Sequence, residues 1–218
     1  MTQISQLLSN LAYTSFMNKK IKTISIHLII VIVLITSTYF ITAQTVSTQD
    51  SDTEFFSEYI ISVNNIHVAI ENIDLALANE DVFTFYTDGE YYYDSALIYT
   101  TGGKEQILEA KQLLEKADSK LKEVESNAPN TFFAEDVVNR LEQIEALFLV
   151  ADDTYALLDY SEKELYEVNY GSDVKAADYH SQYNDRIETT NINLKKLSDI
   201  DNKIDLAWDQ DWYPEFLE

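Results

Sequence analysis

GKEQILEAKQLLEKADSKLKEVES, residues 103–126, is the stretch that decides the fold of this chain. Its apolar residues recur at alternating intervals of three and four: Ile107, Ala110, Leu114, Ala117, Leu121 and Val124. An α-helix has about 3.6 residues per turn, so this spacing puts all of them on one stripe of a helix. A half-buried strand would instead alternate apolar and polar residues. The stretch therefore predicts an amphipathic helix.

The same spacing recurs in three other segments and predicts helices over about 52–79, 131–160 and 173–208, the last with more polar residues interleaved. The first stripe consists of Phe56, Tyr59, Val63, Ile66, Ile70, Ile73 and Leu77. The second consists of Ala134, Val137, Leu141, Ile144, Phe148, Ala151, Tyr155 and Leu158. The third consists of Tyr183, Ile187, Leu194, Leu197 and Ile204. Helical spacing outweighs strand alternation throughout, so the sequence predicts an all-α protein.

Residues 81–100 carry a further helical stripe, whose phase is shifted from that of 52–79. A turn at 79–81, with Asp81 as the N-cap, explains the shift and predicts a separate helix. A continuous helix with a local stutter is the alternative. Glycine, proline and capping residues predict helix stops, which fall at Thr-Thr-Gly-Gly (100–103), Asn-Ala-Pro-Asn (127–130) and Asn-Tyr-Gly-Ser (169–172).

The narrow stripes are typical of helices that pack side by side at shallow angles. Two such helices cannot bury both stripes fully, whereas four or five antiparallel helices joined by short turns can. We therefore expect an up-and-down helical bundle of four to five helices over residues 53–218. An array of helical hairpins is less favoured, because no 34-residue repeat recurs.

The first 43 residues have the features of an export or anchoring signal. An uncharged segment, residues 24–43, follows a basic cluster that consists of Lys19, Lys20 and Lys22. About 20 such residues can span a bilayer, and the positive-inside rule then places the bundle outside the cytoplasm. A signal peptide cleaved near Ala43 is the alternative, and a start at Met17 would give it ordinary proportions.

The expected protein is thus an extracytoplasmic bundle preceded by one N-terminal hydrophobic helix. Residues 1–43 form the basic region with the transmembrane anchor or signal peptide, and residues 44–52 form a polar linker. The location is the cell membrane, with a single pass and the C-terminal domain outside, or the exterior after cleavage. If the segment is not cleaved, residues 24–43 make the membrane contact.

The chain after Ala43 is strongly acidic. It holds all 38 acidic residues but 12 of the 15 basic ones, which gives a net charge of −26. Such a charge repels nucleic acid and anionic membrane surfaces, and we expect no nucleic-acid partner. It favours solubility and cationic partners.

The motifs that carry common chemistries are missing from the sequence. The four glycines form no phosphate-binding loop, cysteine is absent, and no H-E-x-x-H motif occurs. His67 and Glu71, one helical turn apart, could share a cation, and His180 lies among acidic and aromatic residues. Each histidine more often makes an ordinary hydrogen bond at the edge of the core. We therefore predict no catalytic residue, metal or cofactor, and a protein that is not an enzyme.

Two aromatic segments are candidates for an interaction surface. On a helix, three consecutive tyrosines point in three directions, so at least one of Tyr91, Tyr92 and Tyr93 must face away from the core. The C-terminal tail holds Trp208 and Trp212. Tyrosine and tryptophan suit protein contacts because each combines apolar area with a hydrogen-bonding group. The favoured interpretations are nevertheless that the tyrosines fill space between helices and that the tail folds back on the core, and the interaction surface is the alternative to them.

The expected function is non-catalytic contact with another protein or an envelope component. The alternative is a sensory or solute-binding bundle that works with a separate membrane partner. The regular stripes also allow an oligomer.

Overall fold

The computed structural model describes residues 49–87 and 93–211, and the side chains of residues 52–80 and 96–208. It contains four long helices: α1 Gln49–Thr87, α2 Tyr93–Val124, α3 Thr131–Tyr170 and α4 Asp173–Asp211. A short 3₁₀ helix, Glu125–Asn127, follows α2. No strand occurs within the described ranges, so the all-α prediction is confirmed for them. The described residues from Ser51 onward belong to one compact unit.

Contacts between helix ends give each helix its direction. At one end, the rings of Phe55 in α1 and Phe133 near the start of α3 lie 5.8 Å apart. Trp208, near the end of α4, lies 6.1 Å from Phe133. Lys120, near the end of α2, lies 3.2 Å from Glu58 of α1. Successive helices are therefore antiparallel, as in an up-and-down bundle. We call this the Phe133 end, and the end at the α3–α4 turn the Gly171 end.

The apolar stripe of α2 forms one side of the core as predicted. All six of its residues are at most 3% exposed. In α1, Tyr59, Ile66 and Ile73 are buried, while the other members of the predicted stripe are partly buried against the core. The most buried line of α1 lies one residue earlier than predicted and includes Phe55, Ser62, Ala69 and Ala76.

Helix α3 has the widest buried face because it contacts the other three helices. Its Asp136 contacts Tyr59 of α1, its Asp159 contacts Lys104 of α2, and its Asp153 contacts Arg186 of α4. The predicted stripe of α3 is largely buried, but Tyr155 is 37% exposed. Thr154 and Leu157 are buried on either side of it.

Two predicted helix boundaries are wrong. Helix α1 continues through 79–81 and ends at Thr87, so the continuous-helix alternative is matched over that stretch only. Glu80 turns inward there and accepts a hydrogen bond from Tyr183 of α4. Helix α2 begins at Tyr93 and runs through Gly102 and Gly103 without a stop. A Cβ at position 103 would lie 2.9 Å from Cδ1 of Leu158. Glycine at that position therefore permits close helix packing and does not end the helix.

The other boundaries are closer to the prediction. Asn130 caps α3, and its side chain accepts a hydrogen bond from the backbone N–H of Phe133 at 3.0 Å. Helix α3 extends ten residues beyond the predicted end at Tyr160, to Tyr170. Its C-cap is Gly171, whose N–H donates to the carbonyl of Glu167.

In the described ranges, the model contains no helix with the length and apolarity required to cross a membrane. The segment 24–43, for which a membrane span or signal peptide is predicted, lies outside those ranges.

Replacing each of the two adjacent glycines by alanine should have opposite effects. Gly102→Ala should raise the free energy of unfolding by about 0.5–1 kcal/mol, since alanine is the better helix former. The new Cβ would lie 3.8 Å from Nδ2 of Asn79, an ordinary contact. Gly103→Ala should lower the free energy by about 1 kcal/mol, because the buried Leu158 must move. Urea unfolding measures both, and equal effects would contradict the close-packing role of Gly103.

Candidate interaction surface and buried polar centres

A buried carboxylate joins three helices at the Phe133 end. Asp136 of α3 is 1% exposed and accepts hydrogen bonds from Tyr59 of α1 and from Nε1 of Trp208 of α4, the latter at 2.8 Å. Nε of Arg140, one turn along α3, lies 3.5 Å from Oδ2 of Asp136. We call these four residues the Asp136 centre. It pairs a buried charge with an opposite charge and neutral donors, as a charge in a low-dielectric interior requires.

Burial and charge fix the protonation states in this centre. Burial and the neighbouring carboxylate of Asp136 raise the pKa of Tyr59 well above its ordinary value. The hydroxyl therefore stays protonated and acts as a hydrogen-bond donor to Asp136. Burial lowers the pKa of Arg140, but Asp136, Tyr59 and Asp201 together raise it by more, and the pKa lies above its ordinary value. The guanidinium therefore stays charged.

A hydrogen-bonded chain extends the Asp136 centre towards α4. Nη1 of Arg140 donates to Oε1 of Gln143 at 3.1 Å, and Nε2 of Gln143 donates to Oδ1 of Asp201 at 2.7 Å. Aromatic rings surround the centre, since Phe133 contacts Phe55, Phe56, Tyr59, Phe132 and Trp208 at centroid distances of 5.1–6.1 Å. The Phe133 end is thus a set of apolar rings around one compensated charge.

A second buried carboxylate joins α3 to the middle of α4. Asp153 is 3% exposed. It accepts hydrogen bonds from Nη1 of Arg186 and Nδ2 of Asn193, both at 2.7 Å. We call these three residues the Asp153 centre. The hydrogen bond to Asp153 raises the pKa of Arg186 above its ordinary value.

A third polar group joins α2 to α3 near the Gly171 end. Nζ of Lys104 lies 3.0 Å from Asp159 and 2.9 Å from Glu162, and Lys163 lies 2.6 Å from Asp159. Partial burial alone raises the pKa of Asp159, but hydrogen bonds from Lys163 and Lys104 outweigh that effect and hold it below its ordinary value. The folded protein therefore favours the ionised carboxylate of Asp159 over its protonated form more than the unfolded chain does.

Exposed apolar side chains gather at the Gly171 end. We define the Gly171 patch as Tyr166, Val168, Tyr170 and Val174, whose exposed fractions run from 51% to 80%. The rings of Tyr166 and Tyr170 lie 5.6 Å apart. The first turns of α4, which follow Gly171, also carry the exposed carboxylates Asp173 and Asp178. This end of the bundle combines apolar area, phenol groups and negative charge.

An open depression adjoins this patch. Its volume is about 280 Å³, and its lining includes Tyr166, Tyr179, Glu162 and Glu167 together with Lys163. Nζ of Lys163 lies 5.8 Å from the ring centroid of Tyr179, a cation–π contact. The ammonium group of Lys163 thus lies close to the ring of Tyr179.

The interaction residues predicted from the sequence lie mostly outside the described part. This holds for Tyr91, Tyr92, the side chain of Tyr93, and Trp212. Trp208 is described, and it lies against the core, with its ring 4.9 Å from that of Phe132 and its N–H bonded to Asp136. The start of the tail thus folds back on the core, which was the favoured interpretation of the tail.

Both described histidines have acidic neighbours. His67 lies 3.6 Å from Glu71 on α1, and Nδ1 of His180 lies 3.1 Å from Glu164 of α3. Neither pair extends to a cluster: among the described residues, no group of three or more histidine and acidic side chains could hold a metal ion.

Sequence reasoning missed the buried polar centres, although a signal was present. Asp136, Arg140 and Gln143 follow the three-and-four spacing and precede Leu147 and Val150 on the same stripe. Polar residues at such positions predict side chains that turn inward and need partners. Their partners lie far away in sequence, so the spacing alone could not identify them.

Breaking the Asp136 centre should destabilise the bundle strongly. Asp136→Leu should lower the free energy of unfolding by about 3–5 kcal/mol, because it leaves the charge of Arg140 buried without its partner. The double variant Asp136→Leu, Arg140→Leu should recover most of the loss, because it removes both charges. Urea unfolding followed by circular dichroism measures each.

The matched control is Glu142→Ala. Glu142 pairs with Lys203 between α3 and α4 at 3.2 Å, and both side chains are about half exposed. Exposed pairs contribute little, so this change should leave stability nearly unaltered. If Asp136→Leu were as mild as the control, the centre would not stabilise the fold.

The contribution of Asp159 should depend on pH. The folded-state pKa lies below the ordinary value of about 3.9, so the stabilisation is fully present above that pH and is lost as pH falls through the folded-state pKa. Asp159→Asn should therefore cost about 1 kcal/mol near about pH 6 and much less near about pH 2. Urea unfolding of both proteins across this range tests it, with exposed Glu105→Gln as control. A cost that did not change with pH would contradict the assignment.

Comparison with protein-family models, with curated proteins and with solved structures finds no significant match to this chain.

Proposed function

We propose that this chain is an extracytoplasmic helical-bundle protein, tethered by its N-terminal segment or released by cleavage, that works by non-catalytic contact with a basic protein of the cell envelope. The export part of the proposal rests on the basic cluster at 19–22 and the uncharged residues 24–43. The contact part rests on the charge and the chemistry of the described surface.

The excess of acidic side chains is the observation that carries the proposal. Residues 52–80 and 96–208 hold 29 Asp and Glu against 12 Lys and Arg. Nine of those twelve basic residues already form ion pairs within these ranges. Most carboxylates therefore have no basic side chain of the chain to neutralise them, and the surface attracts a cationic partner.

The buried carboxylates bind other side chains of the bundle, which supports a functional role for the outer surface rather than for the interior. Asp136 and Asp153 bind side chains of neighbouring helices and hold the bundle together. The apolar core runs through α1, α2 and α3, with Leu194, Leu197 and Trp208 of α4 packed against it. The interior thus serves the fold, and the Gly171 patch supplies exposed aromatic area next to carboxylates.

Site-specific photo-cross-linking in cells tests the proposal. A photoreactive amino acid at position 166, in the Gly171 patch, should give an adduct with an envelope protein that carries a basic surface. Asp173→Asn with Asp178→Asn should reduce the adduct several-fold, because both carboxylate charges are lost. Protease added outside the cells should digest the bundle, while a cytosolic marker stays intact.

The matched control neutralises two carboxylates at the other end, by Glu123→Gln with Glu125→Gln. This change keeps the same net charge as the test variant, so the adduct should persist. Equal loss in both variants would point to bulk charge and sink the role of the patch. A bundle protected from outside protease would sink the extracytoplasmic location.

A further inference from the structure

The two halves of α4 are held in different ways. In residues 194–208, Leu194, Leu197 and Trp208 pack against the apolar core, and Ile204 is 2% exposed. In residues 173–193, the fully buried side chains are the small Ala176 and Thr190. Tyr179, Tyr183 and Ile187 are partly buried, but they are not among the side chains packed against the apolar core. The half nearer the Gly171 end therefore contributes less than residues 194–208 to the apolar core.

Polar contacts hold residues 173–193 in place. Arg186 and Asn193 donate to Asp153, Tyr183 donates to Glu80, and Nδ1 of His180 lies 3.1 Å from Glu164. Each such bond replaces a bond to water, so its net contribution is only a fraction of its strength in an apolar medium. A segment held in this way is expected to open at lower cost than the core.

Both ends of this segment are tied. Gly171 and Ser172 connect it to α3, with the N–H of Ser172 bonded to Glu167 at 3.0 Å. At its other end, Ile204 and Trp208 keep α4 in the core. Opening must therefore occur by local unfolding of the segment, because a rigid helix tied at both ends cannot swing away.

We propose that residues 173–193 form a locally opening segment and that the Asp153 centre is the latch that keeps it closed. Opening exposes an acidic, tyrosine-bearing strip while α1–α3 and residues 194–208 stay folded. This conformational device goes beyond the proposed contact function, because it concerns how the bundle changes shape rather than what the bundle touches.

Hydrogen exchange of the full chain, followed by mass spectrometry, tests the proposal. Amides of 173–193 should exchange at least about tenfold faster than those of 141–158 in α3 and of 194–208. Their rates should also rise little with low urea, because local opening exposes little surface. Exchange of 173–193 at the α3 rate, with the same urea dependence, would overturn the proposal.

Variants of the Asp153 centre test the latch itself. Asp153→Leu should speed exchange of 173–193 on the order of tenfold, since it leaves Arg186 and Asn193 without their acceptor. The triple variant Asp153→Leu, Arg186→Leu, Asn193→Leu should slow exchange towards the α3 rate, because apolar contacts replace the polar ones. A triple variant that folds and still opens as fast as the wild type would rule out the latch.

The matched control is Lys203→Ala, which removes the exposed α3–α4 pair with Glu142. It should leave the exchange of 173–193 unchanged. A comparable acceleration in this variant would mean that any loss of α3–α4 contact opens the segment, which would also rule out Asp153 as the latch. The wild-type measurement decides the local opening even if the substituted proteins fail to fold.

Discussion

The need to compensate the buried charge of Asp136 constrains the whole Phe133 end. A carboxylate that is 1% exposed requires donors, and these come from the starts of α1 and α3 and the end of α4. The positions of these three helices along the bundle axis are therefore constrained by the hydrogen bonds of one side chain. The rings around Phe133 then fill the space that this arrangement leaves, and Lys120 adds the end of α2 through Glu58. A slip of one helix along another would separate Asp136 from its partners.

The interior changes character along the bundle axis. Near Phe133 the interior combines a cluster of aromatic rings with the buried polar residues Asp136, Arg140 and Gln143. Nearer Gly171 the buried polar residues are Glu80, Thr100, Asp153, Thr154, Ser161 and Thr190. Apolar packing has no preferred direction, but each hydrogen bond needs a particular partner at a particular distance. The Phe133 end is therefore held by packing of rings together with matched polar groups, and the Gly171 end relies more on matched polar groups alone. This division explains how one helix, α4, can be firmly seated at one end and weakly seated at the other.

The spacing of apolar residues was sufficient to predict the four long helices and most of the core. It succeeds for Ile107–Val124 because each residue there repeats the same buried environment. It failed at Gly103, where glycine permits the approach of Leu158, and at Glu80, whose partner is 103 residues away in sequence. The partners in the polar centres could not be predicted for the same reason: Asp136 and Asp153 follow the helical spacing, which indicates that they turn inward, but residues that satisfy them come from other helices. The Gly171 patch was missed because Tyr166 and Val168 repeat an ordinary pattern and become exposed through their position at the bundle end.

The glycine pair in α2 also bears on the order in which the helices form during folding. Residues 100–103, Thr-Thr-Gly-Gly, have low intrinsic helix propensity, whereas residues 104–124 are rich in Lys, Glu, Leu and Ala, which have high propensity. An isolated α2 would therefore form its later two thirds readily and leave its first turns uncoiled. Those turns gain their stability when Leu158 of α3 and the backbone of Ala76 in α1 close over Gly103. We expect helix formation in α2 to spread backwards from its C-terminal part and to reach Tyr93 after α3 has docked.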